Sequence, residues 1–451
     1  MACLGLRIPE VMSESSPSRP GVLPQVAPPH TARPSIPREI IVLVIAAFVI
    51  AIGFGIIAPV LPAYARSFDV GVTAASTVVS AFAFMRLVFA PAGGQLITRF
   101  GERRMYVAGL LIVALSTGAA AFAQSYLQLL VMRGLGGIGS TLFTVSAMAL
   151  LVRLTPPPAR GRASSLYGSA FLFGGIAGPA LGSLLAGWGY RAPFLVYAVA
   201  LLIAATVVAV FLAGADLRPV RTGPENPPLR VREAWRDSAF RAVIAGAFAN
   251  GWANFGARMS LVPLFVGSIT HLSDAVTGIV MTVFAAANAA SLLVAGRLVD
   301  SWGRRPLLLG GLAVCALGTG VMGLVPTTLW LCVMSVVAGV GAGMLAPAQQ
   351  VVVADVVGSN RSGGSTLASF QMEQDLGAIL GPVVTGFVAG WLGFGWAFGP
   401  TGAVLAIGAI AWLGGRETRG DADGEAQREL AHQVPEDPAP GAEDPPGAAH
   451  R

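Results

Sequence analysis

Polar and charged side chains embedded in long apolar stretches are the residues of this chain that could do chemistry. They are Arg86, Arg133, the trio Asn250, Asn254 and Arg258, then Asn288, Gln349, Gln350, and the run Gln371, Glu373, Gln374 and Asp375. An ionisable group in a hydrocarbon environment is costly and faces a partner or a water-filled cavity. A carboxylate raised by desolvation can exchange a proton in the working pH range. Glu373 and Asp375 lie two residues apart, roughly 200° around a helix, so they meet different surroundings. Glu373 is taken first as the group that carries a proton, with Asp375 as its rival; Asp355, or no proton coupling at all, is the remaining reading. Arg86, which would pull a nearby carboxylate back down, joins the proton-coupling candidates. Arg86 has no carboxylate at similar depth in the first half of the chain, so its counter-charge is expected from the helix that holds Asp375. Asn250, Asn254 and Arg258 are spaced by four and share a helix face, aimed at a cavity or a partner helix. Arg86, Asn250, Asn254, Arg258, Asn288, Gln349 and Gln371 are the candidates for a substrate cavity.

Those residues need spans to carry them. Of 451 residues, 54% are hydrophobic and only 12% charged, about half the charge of a soluble domain, so the chain reads as a membrane protein. Twelve helices are expected, at 40–65, 74–97, 104–124, 126–152, 163–187, 191–213, 238–267, 273–298, 304–325, 328–355, 363–391 and 394–415. All 29 basic residues are Arg. They gather on one side: Arg99, Arg103, Arg104, Arg153, Arg160, Arg162, Arg297, Arg304, Arg305 and Arg361, with only Arg66 and Arg191 on the other. The Arg-rich side is expected to be cytoplasmic, with both termini there. Cys3, Cys315 and Cys332 suggest neither a disulfide framework nor a metal site. No cofactor is implied, and with no Lys there is no phosphate-binding loop of the G-x-x-x-x-G-K type.

The chain also repeats itself. Gly94 to Arg104 reappears as Ala295 to Arg305, shifted by 202 residues, and Gly174-x-x-x-Gly178-Pro179 reappears as Gly377-x-x-x-Gly381-Pro382. A repeat this long in so apolar a chain implies two equivalent helical bundles. The expected division is a disordered tail over 1–38, a six-helix bundle over 39–213, a cytoplasmic linker over 214–237, a second bundle over 238–415 and a disordered tail over 416–451.

On these motifs the sequence resembles the major facilitator superfamily, and within it the twelve-helix drug:proton antiporters. Gly94, Leu96, Arg99, Gly101, Arg103 and Arg104 resemble the family's G-x-L-x-D-R-x-G-R-R loop, with Thr98 in place of its Asp and the last two arginines displaced by one behind Glu102; Gly296, Leu298, Asp300, Gly303, Arg304 and Arg305 match it again, with Ser301 in place of an Arg. The resemblance implies a cytoplasmic latch between halves; setting topology by positive charge is the simpler role. Arg133, with Leu129, Gly136, Gly137 and Gly139, resembles the family's helix-4 motif, whose Arg is implicated in proton coupling; snorkelling to the interface is the alternative. Gly174, Gly178, Pro179, Gly182 and Ser183 resemble the antiporter motif of helix 5, a seal or hinge, or otherwise close helix packing alone.

The implied fold is all-α and integral to the membrane, with twelve transmembrane helices in two pseudo-symmetric bundles. The implied protein is a multi-pass, monomeric plasma-membrane transporter with no catalytic residues. Its implied function is proton-coupled export of small amphipathic organic compounds by alternating access. Import of a small metabolite such as a sugar or organic acid stays open, as does, more remotely, a non-transporting receptor. Nucleic acid is not an expected partner, because the Arg residues sit in short loops. If the topology is right, cysteines placed at Thr98 and Ser301 should resist impermeant thiol reagents applied outside intact cells and react in inverted vesicles. Labelling of either from outside would overturn it.

Overall fold

The computed structural model describes residues 37–155, 159–213, 229–269, 274–358, 361 and 364–419. The expected N-terminal tail up to 36, linker residues 214–228 and tail residues 420–451 lie outside them. Among the described residues the regular structure is helical, and ten helices are long and apolar enough to cross a membrane. The first half holds α1 (Arg38–Ile57), the short α2 (Leu61–Arg66), α3 (Val72–Phe100), α4 (Glu102–Ala120), α5 (Tyr126–Leu154), α6 (Arg160–Ala186) and α7 (Arg191–Phe211). A single turn, α8 (Val231–Ala234), precedes α9 (Ser238–Asn250), a π-helical segment (Gly251–Ala257) and α10 (Arg258–Ile269). Then follow α11 (Asp274–Trp302), α12 (Arg304–Gly320), α13 (Thr328–Val357), α14 (Gly364–Leu392) and α15 (Phe394–Ala411).

Two helices depart from the expectation, each for a local reason. The first expected span breaks at 58–60, where Pro59 and Pro62 remove backbone donors, and restarts as α2 with a proline in its first turn. The span expected over 238–267 is interrupted by the π segment, whose wider turn carries Gly251 and Gly256 against α14. A Cβ at Gly256 would lie 2.7 Å from Pro382 Cδ.

The two Gly-Pro segments have the same packing job. Gly174, Gly178 and Gly182 lay α6 on α1: a Cβ at Gly178 would sit 2.6 Å from Gly55 Cα, and one at Gly174 2.7 Å from Ala51 Cβ. Gly377 and Gly381 lay α14 on the end of α9 and the π segment, where a Cβ at Gly381 would come 2.6 Å from the Trp252 carbonyl oxygen. Small residues four apart let backbones touch and make dispersion contact replace a missing hydrophobic drive.

Contacts between the two repeats run along α3 with α14 and α6 with α11. Away from the repeated loops, Ser80 donates to the Ile379 carbonyl at 2.6 Å and Thr73 to that of Gly386 at 3.2 Å. In the same region Ser183 lies so close to Gly278 that a Cβ there would be 2.5 Å from the serine Cβ.

The repeated loops turn on Gly101 (φ 84°) and Gly303 (φ 98°), a backbone region side chains rarely adopt. In the first loop Arg103 donates to the carbonyls of Ala209 (2.8 Å) and Ala213 (3.3 Å), closing the C-terminus of α7. In the second Arg305 does the same for α15, donating to Trp412 (3.1 Å) and Leu413 (2.7 Å). An ion pair ties α4 to α5 through Glu102 and Arg153 at 2.6 Å, and another ties α12 to α13 through Arg304 and Asp355 at 3.2 Å. Glu102 and Arg304 occupy the same position of the repeat, as do Arg153 and Asp355, with the charges reversed.

Because position 304 is basic, the acid at the start of α12 comes from elsewhere. Residues 416–419, expected in the polar tail, fold back across this end. Glu417 accepts from the backbone N–H groups of Arg304 and Arg305 at 2.9 Å each, Thr418 donates to Asp355 at 2.6 Å, and Arg419 donates to the Ser301 carbonyl at 2.6 Å. Arg416 pairs with Asp237, the N-cap of α9, at 2.7 Å. Partial burial raises the Glu417 carboxyl, but the backbone donors outweigh it and hold it below the usual range.

Two expectations follow. Gly178→Leu should abolish transport while leaving the protein in the membrane, whereas Gly175→Leu, whose Cβ has nothing within 4 Å, should be tolerated; equal transport by both would remove the seam. Glu417→Gln should lower thermal stability at pH 7 by about 0.3–1 kcal/mol, the usual worth of a charge at a helix N-terminus. A carboxyl depressed in the folded state stabilises above its unfolded value and loses that contribution as pH falls through the folded one. The difference in melting temperature from the parent should therefore close in acid.

Candidate functional site

A cavity of about 250 Å³ lies between the two repeats. One wall is α3, which presents Val79, Phe82, Ala83 and Arg86 at positions i, i+3, i+4 and i+7. The facing wall is α14, which presents Gln371, Gln374, Asp375 and Ala378 with the same spacing. Phe54, Ala58 and Leu61 close it from the first span, Arg133 from α5, and Phe255 and Met259 from the π segment and α10.

Arg86 and Asp375 meet across this space. Nη2 of Arg86 lies 2.5 Å from Oδ1 and Nε 3.2 Å from Oδ2, a two-pronged ion pair between α3 and α14. Its side chains are 27% and 12% exposed, so the pair is partly withdrawn from water but open to the cavity. Thr141 of α5 donates to the Arg86 carbonyl at 3.1 Å, fixing the helix at the arginine itself. Beside the pair, Gln371 donates to Gln374 at 3.4 Å.

Arg133 is 8% exposed. Its guanidinium stacks on the Phe82 ring, 4.3 Å from the centroid, and its Nε has no hydrogen-bond partner. The glycines after it explain the placement. A Cβ at Gly137 would run into the Phe82 carbonyl, and one at Gly136 would lie 3.4 Å from the Phe82 ring. The backbone of α5 therefore comes close enough to α3 to set the arginine on the ring.

Asn250, Asn254 and Arg258 keep together but turn away from this cavity. Asn254 donates to Asn250 at 2.7 Å, Arg258 donates to Thr319 of α12 at 3.1 Å, and the Arg258 guanidinium stacks 3.8 Å above Phe284 of α11. All three are buried, so of the two directions left open by their spacing it is the partner helix they face. Gln349 is buried beside Gly246 with its amide nitrogen unpartnered. Asn288 packs its backbone on Gly339 and Gly343. Neither residue is among the cavity's lining, and neither is Glu373, which is half-buried on another face of α14. The loop residues Arg103, Arg304 and Arg305 make the contacts described above, each inside its own repeat. The Asp300 side chain lies outside the described residues.

The apolar walls were missed by a reading that looked for polar groups. Their signal was present: Phe82 precedes Arg86 by four residues, and Phe255 precedes Met259 by four, so each shares a face with its neighbour.

The arrangement is a membrane-embedded, mixed aromatic and charged chamber at the seam of two repeats, suited to holding a small molecule. Residues 43–268 and 243–442 match the Major Facilitator Superfamily. The chain is 25% identical to the multi-drug resistance efflux pump PmrA homolog of Lactococcus lactis, over 83% of this chain and 93% of that protein. It is 31% identical to the class G tetracycline resistance protein of Vibrio anguillarum, over 80% and 92% respectively. Its fold superposes on the crystal structure of a bacterial homolog of the human lysosomal transporter Spinster, in an inward-facing and occupied conformation, with a TM-score of 0.72 at 17% identity, covering 83% of this chain and 96% of that one. A chamber between two sequence repeats, matched along both of them, places this chain in the major facilitator superfamily.

Proposed function

We propose that this protein exports small amphipathic organic compounds from the cytoplasm in exchange for protons, with Asp375 as the proton-carrying group. The observation that carries the reading is the Arg86–Asp375 pair, a titratable bridge between α3 and α14 inside the cavity. Protonating Asp375 cancels one charge of the pair and frees Arg86, so the bridge exists in one protonation state and not in the other. In this scheme the carrier crosses outward with substrate bound and the pair intact. It returns with Asp375 protonated from outside. Efflux as the direction is supported by the relatives named for multi-drug and tetracycline resistance.

On this reading α4 and the composite segment 238–269 supply the two spans beyond the ten, giving twelve in two six-helix halves. Both termini and the Arg-rich loops face the cytoplasm. The contacts of Ser80 and Thr73 with α14, and of Ser183 with Gly278, then form the outer closure. On the same reading the cavity opens towards the cytoplasm. Asp375 takes the role first given to Glu373, because it lines the cavity and Glu373 does not.

The test uses the full chain in proteoliposomes with an imposed pH gradient and a fluorescent quinolone or tetracycline as cargo. Asp375→Asn should lose gradient-driven accumulation by more than tenfold while keeping downhill exchange. Glu373→Gln should keep both. Retention of gradient-driven transport by Asp375→Asn would remove Asp375 as the carrier, and its loss in Glu373→Gln alone would return the role to Glu373.

A further inference from the structure

The charged groups of the cavity do not cancel. Asp375 is the one carboxylate among its lining residues, and it is already held by both prongs of Arg86. Arg133 is left over. Among the described residues it has no ion pair and its Nε is unpartnered; its neighbours are the face of Phe82 and the buried Tyr197, an uncharged group whose hydroxyl donates to the Ile50 carbonyl at 3.4 Å. An arginine this buried, in surroundings of low dielectric, attracts a counter-ion strongly because solvent does not screen it. Stacking on a ring leaves the edge of a guanidinium free. That edge is the part that binds a carboxylate through two parallel N–H groups.

The rest of the chamber describes the other end of such a molecule. Phe54, Phe82, Phe255 and Met259 offer flat and polarisable apolar surface. Gln371 and Gln374 offer neutral amides for a second polar group. A cationic amphiphile would find two arginines and no uncommitted carboxylate.

We infer that the cavity selects aromatic amphiphiles bearing one negative charge, with that charge on Arg133 and the ring system laid against Phe255 and the touching Phe54–Phe82 pair, whose ring centroids are 6.3 Å apart. This rests on the reading of the cavity as the substrate site, and it concerns binding alone, so it can fail while proton-driven export stands. Arg133 is then a specificity-determining residue, and its charge, not its bulk, sets the preference.

The experiment measures equilibrium binding to the purified full-length protein in detergent with three probes of nearly equal shape: 2-naphthylacetate, its neutral amide and 2-(2-naphthyl)ethylammonium. The carboxylate should bind about tenfold or more tighter than the amide, the size of effect expected for one charge-assisted hydrogen-bonded contact. The ammonium should bind more weakly than the amide. Arg133→Gln should bring carboxylate and amide to equal affinity without loss of amide binding, which also shows that the variant is folded. Arg133→Lys should keep part of the preference. Carboxylate affinity no greater than that of the ammonium, absence of binding included, would overturn the inference. So would an unchanged carboxylate preference in Arg133→Gln. Proton-driven transport of an organic cation by a protein that fails these binding tests would refute the anion preference and leave the exporter reading intact.

Discussion

A guanidinium and a carboxylate withdrawn from water hold each other because separating them leaves two charges uncompensated, a loss on the order of 3–5 kcal/mol when one partner of a buried pair is removed. Arg86 and Asp375 are a partly buried form of such a pair, open to the cavity and so worth less than that, and they sit on helices from different repeats. Much of the surrounding structure serves to bring them together. Thr141 anchors the α3 backbone at Arg86, and Ser80 ties α3 to α14 through the Ile379 carbonyl. The π segment lets α14 approach α9 closely enough for Gly377 and Gly381 to touch it. The position of Asp375 is thus decided by glycines on both sides of one seam.

The same geometry explains why the cavity has a chemical character. Both walls are helix faces sampled every three or four residues, so each charged group arrives with apolar neighbours at fixed offsets. Phe82 is both the wall and the platform for Arg133. The polar trio Asn250, Asn254 and Arg258, by contrast, is used up inside its own repeat by Thr319 and Phe284.

What could be read from the sequence was what energy forbids. Arg86, without a carboxylate at its depth in its own half, was expected to draw one from the run ending at Asp375, and it does; Arg133 and Arg258 settle on aromatic faces instead. Glycines four apart followed by proline had to mark close helix contact, and both copies do. The placement of Asn250, Asn254 and Arg258 was open between cavity and partner helix because spacing fixes a face but not what the face meets. The π segment was hidden, since Gly251–Ala257 carries the same apolar pattern as an ordinary helix, and its packing on α14 joins residues more than a hundred positions apart. Residues 416–419 were hidden too. Gly-Arg-Glu-Thr-Arg reads as the start of a polar tail, and the partners of Glu417 and Arg419 are backbone groups brought together only where α11 and α12 turn at Gly303.

The reversed pairs Glu102–Arg153 and Arg304–Asp355 bear on how a duplicated chain finds its own partners. Two halves built on one pattern offer each helix a near-copy of its proper neighbour while the chain is being inserted. Here α4 against α13 would set Glu102 on Asp355, and α12 against α5 would set Arg304 on Arg153. Both wrong assemblies bring like charges together at a helix end, where little water is present to screen them. One exchange of sign between the repeats gives each half an electrostatic address. Divergence after duplication need not begin at the binding site, because telling one half from the other is a problem the chain meets before it can bind anything.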